Sequence, residues 1–297
     1  MILEDFYLRS RAKKVWLESG IDSLEHARDP DYFKSYPYDV SYKYNTRGYR
    51  DKEWPDDIDH LRNLIWCIGD SFTVGLGCPI DLTWPAKLES VTGTRTINVS
   101  LDGASNMWIA RKAIRVLTEI QPKNLIITWS YLHRRELEKE TNDELRRIFG
   151  RAEDSDQDNL VNLADCVGRV LEANTSTRII QSIIPHASRL GALSHAMLED
   201  CICHIDKTWH NIKGPNWPDR CPLTVSKFRE LDLSDELEQH GVYKDLLDKI
   251  FLVENLKKIL VSGSLGEITQ LDYARDQHHF GPLTNQQYVD QIVQLLV

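Results

Sequence analysis

Four short apolar runs, at 63–68, 96–99, 124–129 and 177–184, alternate with longer amphipathic stretches, and this rhythm limits the fold more than any other feature. Between the second and third runs, Met107, Ala110, Ile114 and Leu117 recur at spacings of three and four, one face of a helix. Leu160, Leu163, Val167 and Val170 repeat the pattern before the fourth run. A strand followed by a helix and another strand is the unit of a parallel sheet covered on both faces. The expected class is therefore α/β, a three-layer sandwich with a central parallel sheet.

The rest of the chain sorts around that frame. Residues 1–60 are polar, rich in Tyr and Asp, and interrupted by Pro30, Pro37 and Pro55. They read as a short N-terminal helix and an extended arm that wraps onto a body at 61–297. Residues 185–267 break the alternation and read as a helical insertion over one end of the sheet. At the C-terminus, Thr284 and Gln287 form a capping-box pair ahead of Tyr288, Ile292, Leu295 and Leu296, which predicts a closing helix on the sheet.

Composition removes several classes of function. The formal net charge is −9, which disfavours non-specific attraction to nucleic acid. No run of about 18 apolar residues is present, so no membrane span is expected. The start, MILEDFYLRSRAKK, lacks the basic-then-apolar order of a signal peptide. The expectation is a soluble protein, cytoplasmic as synthesised, with its oligomeric state left open. The six cysteines are scattered, and Cys201, Cys203, His204, His210 and Cys221 lack the paired spacings of a zinc site. Buried thiols on a helix are the expectation there, with no metal.

The chemistry is concentrated at two places. The first apolar run leads into Gly69-Asp70-Ser71-Phe72-Thr73-Val74-Gly75-Leu76-Gly77, setting a hydroxyl at the carboxyl end of a parallel strand, where open α/β sheets bind ligands. A serine needs a base to become a nucleophile, and it needs donors for the charge its attack creates. Near the other end, Asp276-Gln277-His278-His279 offers both a base and a carboxylate to orient it. The bland alternative for Ser71 is a helix N-cap, and His278 competes with His279 as the base.

Gly69-Asp70-Ser71-Phe72 resembles the nucleophile block of the SGNH, or GDSL-type, hydrolases, and Asp276-x-x-His279 resembles their closing block. The stretch from Asn98 through Gly103 to Asn106 is similar to their second block. The resemblance implies a flavodoxin-like sandwich of five parallel strands, no metal or cofactor, and a catalytic triad of Ser71, His279 and Asp276. It further implies that the Ser71 and Gly103 amides line an oxyanion hole. The implied activity is hydrolysis of a small-molecule or glycan ester, for example O-deacetylation of carbohydrate.

One block departs from the pattern. Where the family carries Gly-x-Asn-Asp, this chain has Trp129-Ser130-Tyr131-Leu132-His133-Arg134-Arg135-Glu136. The Ser130 hydroxyl, or Asn106 from the second block, is then the candidate for the missing amide donor. Arg134, Arg135 and Glu136 read as a solvated helix start, with anion recognition as the alternative. Transfer of an acyl group to a glycan, or a non-catalytic binding module, are the competing functions.

Overall fold

The first apolar run forms strand β3 (Ile65–Gly69), all of it buried. Side chains alternate across it: Trp66 and Ile68 face one core, Ile65 and Cys67 the other. The same alternation divides Leu125, Ile127 and Trp129 from Ile126 on β5 (Asn124–Trp129). A strand buried on both faces reads as continuous apolar sequence, which is why these runs stand out.

These strands belong to a computed structural model that describes residues 3, 6–25, 36, 38–136, 150–151, 155–174, 176–185, 188–260 and 265–296. The sheet has five strands in the order β4-β3-β5-β8-β9, with β4 at Thr96–Ser100, β8 at Arg178–Ile183 and β9 at Gly266–Glu267. Every neighbouring pair is parallel. Counted along the chain within this sheet the order is 2-1-3-4-5, the flavodoxin-like winding. Its switch point lies between β3 and β5, where the chain turns to opposite sides of the sheet.

Helices 84–92 and 282–296 cover one face through Trp84, Leu88, Tyr288, Val289 and Ile292. Helices 106–119, 156–172 and 243–260 cover the other through residues such as Ile109, Val116, Leu163, Val167, Ile250 and Val253. The stripe on the first of these differs from the expected one. Met107 is exposed and Ile114 half-buried, whereas Ala110 and Leu117 are buried as expected, together with Trp108, Ile109, Ala113 and Val116. Met107 lies in the first turn, just past the Ser105 N-cap, on the side away from the buried Trp108 and Ile109.

The stretch at 185–267 is not simply an insertion over one end. It is an enlarged crossover from β8 to β9, with helices at Ser188–Ile212, Val225–Glu230, Ser234–Gln239 and Tyr243–Leu260. Leu246, Ile250, Val253, Leu256 and Ile259 share the main core, so its last helix is part of the sandwich.

The arm does wrap onto the body, but its start is not helical among the described residues. Residues 6–14 form turns, and β1 (Val15–Trp16) pairs antiparallel with β2 (Tyr42–Lys43). Long-range backbone bonds replace the helical ones: Leu8 N–H donates to Arg47, Lys13 to Asn45, and Tyr44 to Lys14. Leu3, Phe6, Leu8, Tyr49 and Trp54 join the main core, and Tyr42 and Tyr44 pack on Val74 and Leu76.

Candidate active site

Ser71 opens a one-turn helix (Ser71–Val74) directly after β3. Asp70 is its N-cap, and the Asp70 Oδ1 accepts from the Phe72 N–H at 3.0 Å. The cap is therefore Asp70, and the Ser71 side chain is left for another partner. That partner is His279, whose Nε2 lies 2.8 Å from the Ser71 Oγ. The His279 Nδ1 lies 2.5 Å from the Asp276 Oδ2. Residues 208 positions apart are thus brought into one hydrogen-bonded line.

The loop at 272–281 is built to hold that line. Its two sides are joined by an antiparallel bridge between Tyr273 and Phe280, and the Ala274 N–H donates to the His279 carbonyl at 2.8 Å. Asp276 Oδ1 accepts from the backbone N–H groups of His278 and His279 at 3.0 and 2.9 Å. This fixes the carboxylate so that only Oδ2 faces the ring. Burial alone would raise the Asp276 carboxyl, but the bonds from the His279 ring and the two amides outweigh it. The carboxyl is held below its ordinary value. Phe72 packs against the imidazole with ring centroids 4.6 Å apart. His278 is turned elsewhere, its Nε2 bonded to the Tyr131 hydroxyl at 2.8 Å.

Gly103 sits in a turn closed by the Ala104 N–H donating to Leu101. Its φ of +76 suits glycine at the third position of such a turn, and its N–H has no acceptor among the described residues. The two side chains expected to supply a further donor are engaged elsewhere. Asn106 Oδ1 accepts from the Ser130 N–H at 2.7 Å, and its Nδ2 donates to the Ser130 and Tyr131 carbonyls at 3.3 and 3.4 Å. The Ser130 hydroxyl donates to Asp70 Oδ2 at 2.7 Å. The expectation that either is held ready for an oxyanion is therefore corrected for this conformation. The reasons differ: the fully buried Asp70 carboxylate draws the Ser130 hydroxyl, and the backbone of Ser130 and Tyr131 occupies the Asn106 amide.

Arg134 is the residue that sequence reasoning misread. It begins the short strand β6 (Arg134–Arg135) rather than a helix. Its Nη1 donates to Asp70 Oδ2 at 2.9 Å and to Ser130 Oγ at 2.8 Å. Arg135 donates to Asn159 Oδ1, and Glu136 pairs with Arg111. Asp102, next to Gly103, was also missed. Burial raises its carboxyl, against the pull of Arg11, His279 and Arg134. Ser71, His279 and Asp276 are themselves 1%, 3% and 8% exposed, so all three side chains are largely desolvated.

A parallel 2-1-3-4-5 sandwich with a serine, a histidine and an aspartate joined beyond its strand ends resembles the SGNH, or GDSL-type, hydrolases in winding and in block order. Similar solved structures include a GDSL-like lipase from Bacteroides ovatus, 16% identical with a TM-score of 0.40, over 79% of this chain and 53% of that one. An acetyl xylan esterase from the rumen bacterium Butyrivibrio proteoclasticus is 11% identical with a TM-score of 0.37, over 82% of this chain and 64% of its own. A psychrotrophic esterase from Pseudoalteromonas is 14% identical with a TM-score of 0.35, over 79% and 96%. This chain spans about half the length of the first of these. No family profile and no curated protein sequence matches it.

Proposed function

We propose that this protein is a serine ester hydrolase acting by acyl transfer. The observation that carries the reading is the unbroken line from Ser71 Oγ through both His279 nitrogens to Asp276 Oδ2. A helix cap would need only the serine; a nucleophile needs the base and its orienting carboxylate as well. The Ser71 oxygen attacks the ester carbonyl carbon while its proton passes to His279 Nε2. The carbonyl oxygen becomes an oxyanion, facing the Ser71 and Gly103 amides. When the intermediate collapses, the C–O bond to the alcohol breaks, and the His279 proton goes to the leaving oxygen. Water then repeats the sequence on the acyl-serine, releasing the acid and restoring the hydroxyl.

The depressed Asp276 carboxyl supports this role, because an ionised carboxylate is what stabilises an imidazolium. The proposed substrates are small acyl esters, and acetylated carbohydrates are the first panel to assay for released acid. The test of the chemistry itself is a fluorophosphonate probe read by intact mass. The wild type should gain one adduct, mapped to Ser71, and Ser71→Ala should gain none while keeping its helical spectrum. Full labelling of Ser71→Ala would overturn the assignment.

A further inference from the structure

The two halves of the site ride on different supports. Ser71 is fixed by β3, whereas Asp276 and His279 lie on a loop beyond the sheet, so the ladder of strands does not set the distance between them. What joins them is a closed ring of hydrogen bonds that passes through the N-terminal arm. Asp22, on the arm, is fully buried. Its two oxygens take the Arg275 side chain in fork geometry, Nε to Oδ1 at 2.9 Å and Nη2 to Oδ2 at 2.7 Å. Arg275 immediately precedes Asp276.

From the same carboxylate the ring runs the other way. The Tyr42 hydroxyl donates to Asp22 Oδ2 at 2.5 Å and accepts the Gly77 N–H at 2.8 Å. The Gly77 carbonyl then accepts the Arg275 N–H at 3.0 Å, which closes the circuit. Gly77 belongs to the loop that leaves Ser71, and it is pressed against the acid–base loop. A Cβ at Gly77 would stand 3.0 Å from both the Asp276 Cγ and its backbone nitrogen. Arg50, also on the arm, secures the same loop. Its guanidinium donates to the carbonyls of Val74, Gly75 and Cys78, and it lies 4.5 Å over the Tyr42 ring.

We propose that Asp22 is a positioning residue for the active site, acting through Arg275 on one loop and through Tyr42 and Gly77 on the other. The arm is then part of the catalytic apparatus, and the reach from Ser71 to His279 depends on it. This rests on the hydrolase reading above. Displacements of about 1 Å in a reacting pair are enough to cost orders of magnitude in rate, so the effect should be read in reactivity before it is read in folding.

The experiment compares wild type, Tyr42→Phe, Asp22→Asn and the double variant Asp22→Asn/Arg275→Met. The rate of fluorophosphonate labelling at Ser71 is followed across pH, with thermal midpoint and the titration of the His279 ring nitrogens by NMR. Tyr42→Phe and Asp22→Asn should each slow labelling about tenfold or more in folded protein. The pH profile of labelling should change with it as Asp276 loosens its hold on the imidazole. The double variant should be little slower than Asp22→Asn, since both changes remove the Asp22–Arg275 pair and Arg275→Met further removes a 3.3 Å bond to the Leu17 carbonyl; it also avoids an unpaired buried Arg275 if Asp22→Asn folds poorly. A lowered thermal midpoint with unchanged labelling rate and unchanged pH profile would overturn the proposal and leave the ring a merely structural brace. If wild type itself is not labelled, the hydrolase reading fails. The His279 titration then decides the positioning role alone, an unshifted ring in Tyr42→Phe and in the double variant overturning it.

Discussion

Asp70 has no place in proton transfer, yet it organises three of its neighbours. One carboxylate caps the helix that carries Ser71 and accepts hydrogen bonds from the Ser130 hydroxyl and from Arg134. Breaking a buried pair from one side strands the other charge, at roughly 3–5 kcal/mol. Arg134→Met should therefore destabilise by about that amount in chemical denaturation, and Asp70→Asn in the same chain should recover part of it. Ser130→Ala removes a hydrogen bond to a charged group, an expected loss of about 1.5–3 kcal/mol, with less than a tenfold change in kcat. A tenfold fall in kcat at constant KM would instead show that the hydroxyl swings to the oxyanion during the reaction. The sequence put Ser130 at the end of its strand correctly. It could not show where the hydroxyl points, because the competing acceptor is 60 positions away.

Elements were legible in proportion to how local their causes are. The four apolar runs became strands because burial on both faces favours apolar residues, and the buried polar ones among them, such as Asn98, Thr128 and Gln181, are hydrogen-bonded. The blocks around Ser71 and His279 were legible because each is contiguous in sequence. The closing helix shows the opposite case. It begins at Pro282, and its first turn is capped by Asp272 from the preceding loop, not by a Thr284–Gln287 box. Asp272 Oδ2 accepts the Leu283 N–H at 2.9 Å, and Oδ1 accepts the Thr284 N–H at 2.8 Å and the Thr284 hydroxyl at 2.7 Å. A cap so far from the first turn carries no sequence signature. Asp272→Ala should cost about 1–2 kcal/mol, a fall of about 2–6 °C in thermal midpoint for a domain of this size. The Ser71 labelling rate at 25 °C should change much less than the midpoint does, since Asp276 keeps its own backbone bonds.

At the scale of the whole molecule, the question is what keeps the arm closed on the body. Trp54 stacks on Tyr49 at 5.0 Å and meets Phe6 and Trp66 edge-on, so part of the answer is aromatic burial. The other part is Asp51, between the arm and the edge strand β4. It pairs with Arg95 at 2.8 Å and accepts from the Asn98 N–H and the Trp54 indole. No periodicity marks such pairings; Asp51 to Asn98 spans 47 positions and Asp22 to Arg275 spans 253. This is why the arm read as an appendage in the sequence and stands in the structure as part of the site's support. No described helix is long and apolar enough to cross a membrane.

Asp51 also gives the closed arm a pH dependence whose sign can be worked out. Burial pushes its carboxyl up from 3.8 to about 6, more than Arg95, Asn98 and Trp54 pull it down. The folded protein therefore holds the Asp51 proton more tightly than the unfolded chain does. The stability this group contributes is complete below the unfolded value and is lost as pH rises through the folded one. A gap of about two units corresponds to about 3 kcal/mol. Asp276 works in the opposite sense, its depressed carboxyl adding stability above the ordinary Asp value and losing it as pH falls; measured against Asp51→Asn, that contribution cancels. The stability of wild type minus that of Asp51→Asn should thus decline by up to about 3 kcal/mol between pH 4 and pH 7.5, followed by urea denaturation. A difference that stays constant over that range would mean the Arg95 pair already holds Asp51 ionised at pH 4, and that the arm closes on a permanent salt bridge rather than on a proton.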